Sequence, residues 1–242
     1  MADAPGAAWS SDGQALARCV GRSIEVEIVA QRFPAGRHMG CAPAWRPGGE
    51  LTFARGAAIY GHRPRCSGPG CERVIVSERA LRAAASQHPN LRDAAGPLRV
   101  SVRELGWLTR SRVAVHLVAR PARGLVPEAV LAVFEGARLV GAHVFFRDRS
   151  ALVEASPDGR LIALDPAEVL RANGVELPLP TALNLARAFA WSPDGRFLAA
   201  ATRASIFVVN ARDLERVPST RVEARVYRLP IAARDLAWIG AG

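Results

Sequence analysis

Short apolar strands that alternate with turns of proline, aspartate and glycine form the dominant pattern of this chain. In the clearest unit, Ala-Trp at residues 190–191 is followed by the turn Ser-Pro-Asp-Gly at 192–195 and by the apolar run at 196–201. Proline fixes φ for the second position of a type I turn, aspartate suits the next position, and glycine adopts the left-handed conformation that closes a hairpin with a bulge. The pattern therefore predicts a strand, a tight turn and a second strand.

The same unit recurs along the chain. Further copies lie at residues 7–17, with the turn Ser-Ser-Asp-Gly, at 44–54, with Arg-Pro-Gly-Gly, and at 155–164, with Ser-Pro-Asp-Gly; a more degenerate copy spans 105–119. Residues 231–239 are typical of one more first strand. A repeated strand–turn–strand unit is typical of solenoids and propellers, so we predict an all-β repeat architecture rather than a single-domain enzyme fold.

The segment Trp-Ser-Pro-Asp-Gly-Arg-Phe-Leu-Ala at residues 191–199 resembles the repeat of the TolB-like β-propellers, which are related to the WD-repeat propellers. Clear copies cover less than half of the chain, but they extend from its first residues to its last third. The resemblance implies a ring of four-stranded blades. It implies no common reaction, because such propellers serve as scaffolds, as receptors and as gating domains of hydrolases.

The length of the chain fits such a ring. At roughly 40–45 residues per blade, 242 residues allow about five or six blades, and we predict one β-propeller domain over residues 1–242. The first strand of each successive unit carries a tryptophan or, in one unit, an alanine, which we use as a landmark. We interpret these tryptophans as residues that pack one blade on another. The landmarks are Trp9, Trp45, Trp107, Ala155, Trp191 and Trp238.

Two stretches depart from the β pattern and predict short helices. Residues 77–88 have helical composition and begin with a serine that is suited to capping a helix. Residues 165–173 begin with an aspartate at the N-cap and a proline in the first turn, and Asn-Gly follows at their end. We predict that both helices are insertions between the strands of blades.

The charge of the chain is strongly positive but dispersed. All 32 basic side chains are arginine, against 22 acidic ones, for a net charge of +10. No run reaches the density of a basic tail, and no aromatic residues interleave with the arginines as in a single-strand binding surface. We therefore expect a solvated basic surface and no nucleic-acid partner, and we keep anion or nucleic-acid binding by an arginine-rich face as an alternative.

Four cysteines allow three interpretations. Cys66 and Cys71 bracket a Gly/Pro turn, and Cys19 and Cys41 lie in neighbouring units, which favours two disulfides and an oxidising compartment. A structural zinc site formed by Cys41, His62, Cys66 and Cys71 is the second interpretation, although its Cys-x4-Cys spacing is unusually wide. Four buried free thiols are the third.

The remaining histidines form no constellation in the sequence, since His38, His88, His116 and His143 are widely separated. The chain also has no Gly-x-Ser-x-Gly elbow, no glycine-rich phosphate loop and no His-Glu-x-x-His motif. We therefore predict no catalytic residue, no cofactor and no enzymatic activity.

The leading functional prediction is a non-catalytic propeller that binds another macromolecule, with a protein partner, in the bacterial cell envelope. An enzyme or small-ligand receptor that uses the axial funnel is the alternative. No apolar run approaches the roughly 20 residues of a membrane span, and the first residues are typical of a domain that follows an N-terminal anchor. TolB-like propellers are often extracytoplasmic, so the resemblance implies the periplasm or cell surface; the cytoplasm is the alternative.

Overall fold

The computed structural model of the chain divides into two compact units, Met1–Asp148 and Arg149–Gly242, and each is described by itself. The prediction of a single domain over residues 1–242 stays a prediction. The structure describes residues 7–10, 13–28, 34–63, 66, 69–92, 96–121, 127–145, 153–156, 161–164, 168–171, 176–177, 180–183, 186, 188–192, 194–216 and 226–231.

The first unit consists of three four-stranded antiparallel sheets, and the strands of each sheet pair in chain order. This up-and-down arrangement follows from the short turns, which place each strand beside its predecessor. The strands are β1 (Ala7–Trp9), β2 (Ala15–Val20), β3 (Ser23–Ile28) and β4 (Pro34–Met39) in the first sheet, β5 (Cys41–Arg46), β6 (Glu50–Arg55), β7 (Ala58–His62) and β8 (Glu72–Val76) in the second, and β9 (Arg99–Trp107), β10 (Arg112–Arg120), β11 (Glu128–Glu135) and β12 (Arg138–Phe145) in the third.

Two helices follow β8 and confirm the helix predicted near residues 77–88. Helix α1 spans Glu78–Ala85 and α2 spans Pro89–Arg92; a single 3-10 turn, Pro69–Cys71, precedes β8. The Ser77 hydroxyl caps α1 by accepting a hydrogen bond from the Ala80 amide at 3.3 Å. The apolar side of α1 is buried against the strands of the third sheet, so the helix belongs to the core of this unit.

Tryptophans connect the sheets of the first unit, as their interpretation as packing residues predicts. The Trp45 indole donates to the Ala8 carbonyl at 2.9 Å, which joins β5 to β1. The Trp107 indole donates to the Thr52 hydroxyl at 2.8 Å, and Thr52 donates in turn to the Ala44 carbonyl at 2.7 Å. These bonds fix each first strand against the preceding sheet.

Trp9 does not fit that interpretation, because it is 56% exposed. The strand predicted over 231–239, which includes Trp238, lies outside the described residues from residue 232 onward. Its first residue, Ile231, is described; it follows β20 and is not part of a strand.

The second unit contains two further four-stranded antiparallel sheets, again paired in chain order. Its core lies on β17, β18 and α3, where Trp191, Leu198 and Leu214 are buried together. The elements are β13 (Val153–Ala155), β14 (Leu161–Leu164), β15 (Glu168–Arg171) and β16 (Glu176–Leu177), the 3-10 turn Thr181–Leu183, then β17 (Ala188–Trp191), β18 (Phe197–Ala201), β19 (Ile206–Asn210), α3 (Ala211–Arg216) and β20 (Val226–Leu229).

The turn that defines the repeat forms as predicted. Gly195 has a left-handed φ of +68°, and its amide donates to the Ser192 carbonyl at 2.8 Å. The Ser192 hydroxyl accepts from the Phe197 amide at 2.9 Å, and Asp194 accepts from the Arg196 amide at 3.0 Å. The polar side chains of Ser192 and Asp194 thus form hydrogen bonds within the hairpin itself.

The helix predicted over 165–173 is wrong. Its described residues form β15, in which Val169 and Leu170 pair with Ala163 and Ile162 of β14. The local capping signals lose to tertiary pairing, because the strand satisfies the open edge of β14 and places a β-branched residue where strands favour it. Residues 165–167 and 172–173 lie outside the described residues. Helix α3, in contrast, was not predicted.

We expect Trp107→Phe to lower the free energy of unfolding by about 1–2 kcal/mol, because it removes the donor to Thr52 and keeps most of the partly buried aromatic contact. Trp9→Phe is the matched control, with an expected change of less than about 0.5 kcal/mol at its exposed position. Urea unfolding followed by circular dichroism measures both. Equal changes in the two variants would contradict the packing role of Trp107.

Candidate functional site

A pocket of about 270 Å³ lies between the first and second sheets of the first unit. One part of its wall is apolar and includes Val26, Ile28 and Leu51. The Trp45 indole, which is tied to the first sheet, also faces the pocket, and Arg63 lies at its exposed margin. The pocket therefore combines an apolar wall with a rigidly held aromatic ring and a cationic side chain.

Two imidazoles and a carboxylate meet beside this pocket. His62 at the end of β7 and Glu72 at the start of β8 are register partners on adjacent strands, and His38 comes from β4 of the first sheet. The imidazole centroids are 4.3 Å apart. One ligand atom from each of the three residues lies within 4.8 Å of the other two. We call these three residues the imidazole–carboxylate cluster.

The tautomer of His62 follows from its hydrogen bond. Its Nε2 lies 3.2 Å from the Cys66 carbonyl, which only accepts, so Nε2 carries the proton and donates it. In the neutral form of this imidazole, the Nδ1 atom then carries the lone pair. This atom is buried and has no hydrogen-bond partner among the residues that the structure describes.

Glu72 is held between a cation and an imidazole. Its Oε2 atom lies 2.9 Å from the Arg55 guanidinium, and its Oε1 atom lies 3.4 Å from Nδ1 of His38. The Arg55 guanidinium in turn stacks over the Tyr60 ring at 4.0 Å. Arg55 thus fixes the carboxylate so that its other oxygen faces the cluster.

The electrostatics of the cluster keep His38 neutral. Burial and then the neighbouring His62 lower the pKa of His38, and the hydrogen bond and charge of Glu72 oppose this shift without reversing it. An uncharged imidazole presents a lone pair, whereas an imidazolium does not. Near neutral pH, the cluster therefore offers nitrogen and oxygen donors to a cation.

Next to the pocket, Glu50 joins two arginines at the β5–β6 turn. Arg46 donates to Glu50 at 2.8 Å, and Arg73 donates to both of its oxygens at 2.9 Å. Burial by itself would raise the pKa of Glu50, but the hydrogen bonds from Arg73 and Arg46 outweigh burial and hold this pKa below its usual value. Arg46 also donates to the Arg110 carbonyl at 2.6 Å, which ties this turn to the third sheet.

The four cysteines are bonded in pairs. Cys19 is joined to Cys41 with a Cα separation of 5.1 Å, and Cys66 is joined to Cys71 with a separation of 5.5 Å. The first disulfide links the first two sheets, and the second closes the loop whose carbonyl holds His62. The three cysteines of the zinc site considered in the sequence analysis are therefore engaged in disulfides and are not metal ligands. Of the four residues of that site, only His62 lies in the imidazole–carboxylate cluster.

The other histidines of the sequence analysis lie outside the imidazole–carboxylate cluster. His88 is fully buried with its Nε2 3.4 Å from a Glu128 oxygen, and His116 is buried inside β10. His143 lies in β12. Sequence reasoning missed the meeting of His38 with His62 and Glu72, because no local spacing relates residues on strands of different sheets.

Comparisons with known proteins identify the fold and no relative. No family model matches the chain, and no curated protein matches it. Among solved structures, the chain is similar to the β-propeller domain of Cps50 (Swd1) from Myceliophteria thermophila, with a TM-score of 0.56 and 12% identity over 93% of this chain and 73% of that one. It is also aligned with Hsv2 from Kluyvelomyces marxianus, with a TM-score of 0.41 and 10% identity over 97% and 87% of the two chains.

The likeness to the Cps50 domain shows a β-propeller fold, in agreement with the four-stranded sheets. The assignment to the TolB-like group stays a prediction, as does the number of blades. None of the helices that the structure describes is long and apolar enough to cross a membrane.

We expect Glu50→Gln to lower the free energy of unfolding at neutral pH by about 1–3 kcal/mol, since it removes the charge that both arginines bind. The pKa of Glu50 is lower in the folded protein than its value of 4.5 in the unfolded chain, so the ionised carboxylate stabilises the fold at any pH above 4.5. This stabilisation is lost as the pH falls through the folded pKa. The difference between wild type and variant should therefore shrink below about pH 4.5. Urea unfolding across this pH range measures it.

The matched control is Glu135→Gln. Its carboxylate also contacts two arginines, Arg112 and Arg138, but the side chain of Glu135 is 32% exposed, against 10% for Glu50. We expect a smaller loss there because solvent screens exposed ion pairs. A difference for Glu50→Gln that stays constant as the pH falls would contradict the role of its charge.

Proposed function

We propose that this chain is a non-catalytic β-propeller interaction module that binds a segment of another protein in the pocket between its first two sheets. The observation that carries this proposal is the pocket itself, with Val26, Ile28 and Leu51 on its wall and the Trp45 ring beside them. Buried aromatic and aliphatic pockets of this kind receive the anchoring side chains that dominate binding energy in protein interfaces.

The pocket is built on a rigid frame. The bond from Trp45 to the Ala8 carbonyl and the Cys19–Cys41 disulfide both connect the two sheets that form its walls. A site that is already ordered loses little conformational entropy when a partner binds, so more of the contact energy remains as affinity.

Charge indicates the chemistry of the partner. The chain carries a net charge of +10, and Arg63 lies at the margin of the pocket. A partner segment that has an apolar residue next to Asp or Glu fits this pocket. Its apolar side chain would lie against the apolar wall, and its carboxylate would lie near Arg63. Such complementarity raises the association rate and specificity, and it weakens with salt.

The proposal extends to the setting of the protein. Two disulfides are typical of oxidising compartments, so the proposed location is extracytoplasmic, and the bacterial cell envelope stays a prediction. A TolB-like propeller of five or six blades is the proposed frame. A small-ligand receptor is the second candidate, and the imidazoles that line the same pocket favour it.

Gly36→Val tests the pocket directly. Gly36 lines it, and an added Cβ would lie 3.4 Å from Nε2 of His38, so a valine there would fill space that a ligand needs. Gly70→Val is the matched control, because a Cβ at this exposed glycine meets nothing within 4 Å. We expect a random peptide library displayed on phage to yield sequences that bind wild type and Gly70→Val and lose binding to Gly36→Val by at least about tenfold.

The selected peptides should share an apolar residue beside an acidic one, and their binding should weaken at high salt. Circular dichroism establishes that both variants are folded. Peptides that bind Gly36→Val as tightly as wild type, or a library that yields no peptide specific for wild type, would contradict the proposed pocket.

A further inference from the structure

We propose that His38, His62 and Glu72 form a binding site for a zinc ion, with one coordination position open toward the pocket. The inference rests on the geometry of these three side chains and does not depend on the proposed protein partner.

The donor set matches the metal. Two imidazole nitrogens and one carboxylate oxygen are ligands that Zn²⁺ prefers, and a site with three protein ligands keeps its fourth position for water or a bound ligand. The three ligand atoms already lie within 4.8 Å of one another. Tetrahedral bonds of about 2.0–2.2 Å place such atoms about 3.4 Å apart, so the ligand atoms need to approach one another by at most about 1.4 Å to hold the ion.

The unpartnered nitrogen of His62 is the second observation. Its Nε2 donates to the Cys66 carbonyl, which leaves the buried Nδ1 lone pair without a partner in the described part of the chain. A buried polar atom without a partner costs free energy. A zinc ion bound at Nδ1 removes that cost, and the donated hydrogen bond fixes the tautomer that a metal ligand requires.

The surroundings of the cluster resemble an outer ligand shell. Metal-binding histidines usually donate their second nitrogen to a carbonyl or carboxylate, and ligating carboxylates are themselves hydrogen-bonded. Here the Cys66 carbonyl holds His62, and Arg55 holds Glu72 at 2.9 Å. The Cys66–Cys71 disulfide closes the loop that carries this carbonyl.

An ordinary histidine–carboxylate hydrogen bond explains the cluster less well. The distance of 3.4 Å between His38 Nδ1 and Glu72 Oε1 is long for such a bond, and the bond leaves His62 Nδ1 without a role. One ion between the three side chains satisfies all three donors at once.

The open coordination position of the zinc site faces the pocket between the first two sheets. His38 and His62 both line the pocket, together with Gly36 and Trp45. A ligand for this position would therefore enter through the pocket, and a carboxylate fits it, since Zn²⁺ accepts carboxylate oxygen and Arg63 lies at the margin.

Calorimetric titration of the tag-free, oxidised protein with zinc chloride tests the site. We expect wild type to bind one equivalent of zinc. His62→Gln and Glu72→Gln should each weaken binding by at least about tenfold, since loss of outer-shell partners alone costs that much. Glutamine at position 62 keeps a donor for the Cys66 carbonyl and deletes Nδ1, so the variant preserves the loop. His143→Gln, outside the cluster, should bind zinc as wild type does.

Cobalt substitution provides a readout of the ligands. We expect wild type with Co²⁺ to show the visible absorption of a four-coordinate ion, and His62→Gln to lose it while keeping its far-ultraviolet circular dichroism. Absence of zinc binding by wild type, or equal affinity in wild type and His62→Gln, would overturn the proposal. Because the titration contains no peptide, its failure leaves the test of the partner pocket intact.

Discussion

The hydrogen bond from the Trp45 indole to the Ala8 carbonyl is the constraint on which the first unit depends. A four-stranded sheet cannot bury its faces alone and must pack on its neighbours. The 2.9 Å bond fixes how the second sheet sits on the first, and Trp107 repeats the arrangement on the third sheet through Thr52. Because an indole N–H that loses water without gaining an acceptor costs free energy, each of these two partly buried tryptophans favours one position of its sheet over others.

This constraint brings the first and second sheets together, and we call the region between them, around Trp45, the seam. The candidate site lies in this seam. Packing of twisted sheets through their first strands leaves space beside Trp45, and polar side chains from both sheets border it. His38 is contributed by the fourth strand of one sheet, and His62 and Glu72 by the last two strands of the next. Their meeting is therefore a consequence of how the sheets pack, and the Cys19–Cys41 disulfide reinforces it.

This origin explains which features the sequence could predict. The Ser192–Gly195 turn is specified by adjacent residues, and so are the strands that flank it and the helix capped by Ser77. The segment 165–173 carries equally good helical signals, yet its central residues form β15, since pairing with β14 outweighs local propensity. The cluster was beyond prediction for a different reason: His38 and Glu72 are 34 residues apart and share no motif.

The seam also gives the cluster its chemical character. Burial keeps the pKa of His38 low, although Glu72 lies beside it, because removing water disfavours the charged imidazole more than one carboxylate stabilises it. Part of the charge of that carboxylate is already taken up by Arg55. The outcome is a neutral His38 imidazole next to a fixed anion, inside a protein whose net charge is strongly positive. Such a site favours a cation that binds by coordination over one held by charge alone, because bonds to nitrogen and oxygen ligands offset the repulsion that the positive protein exerts on any cation.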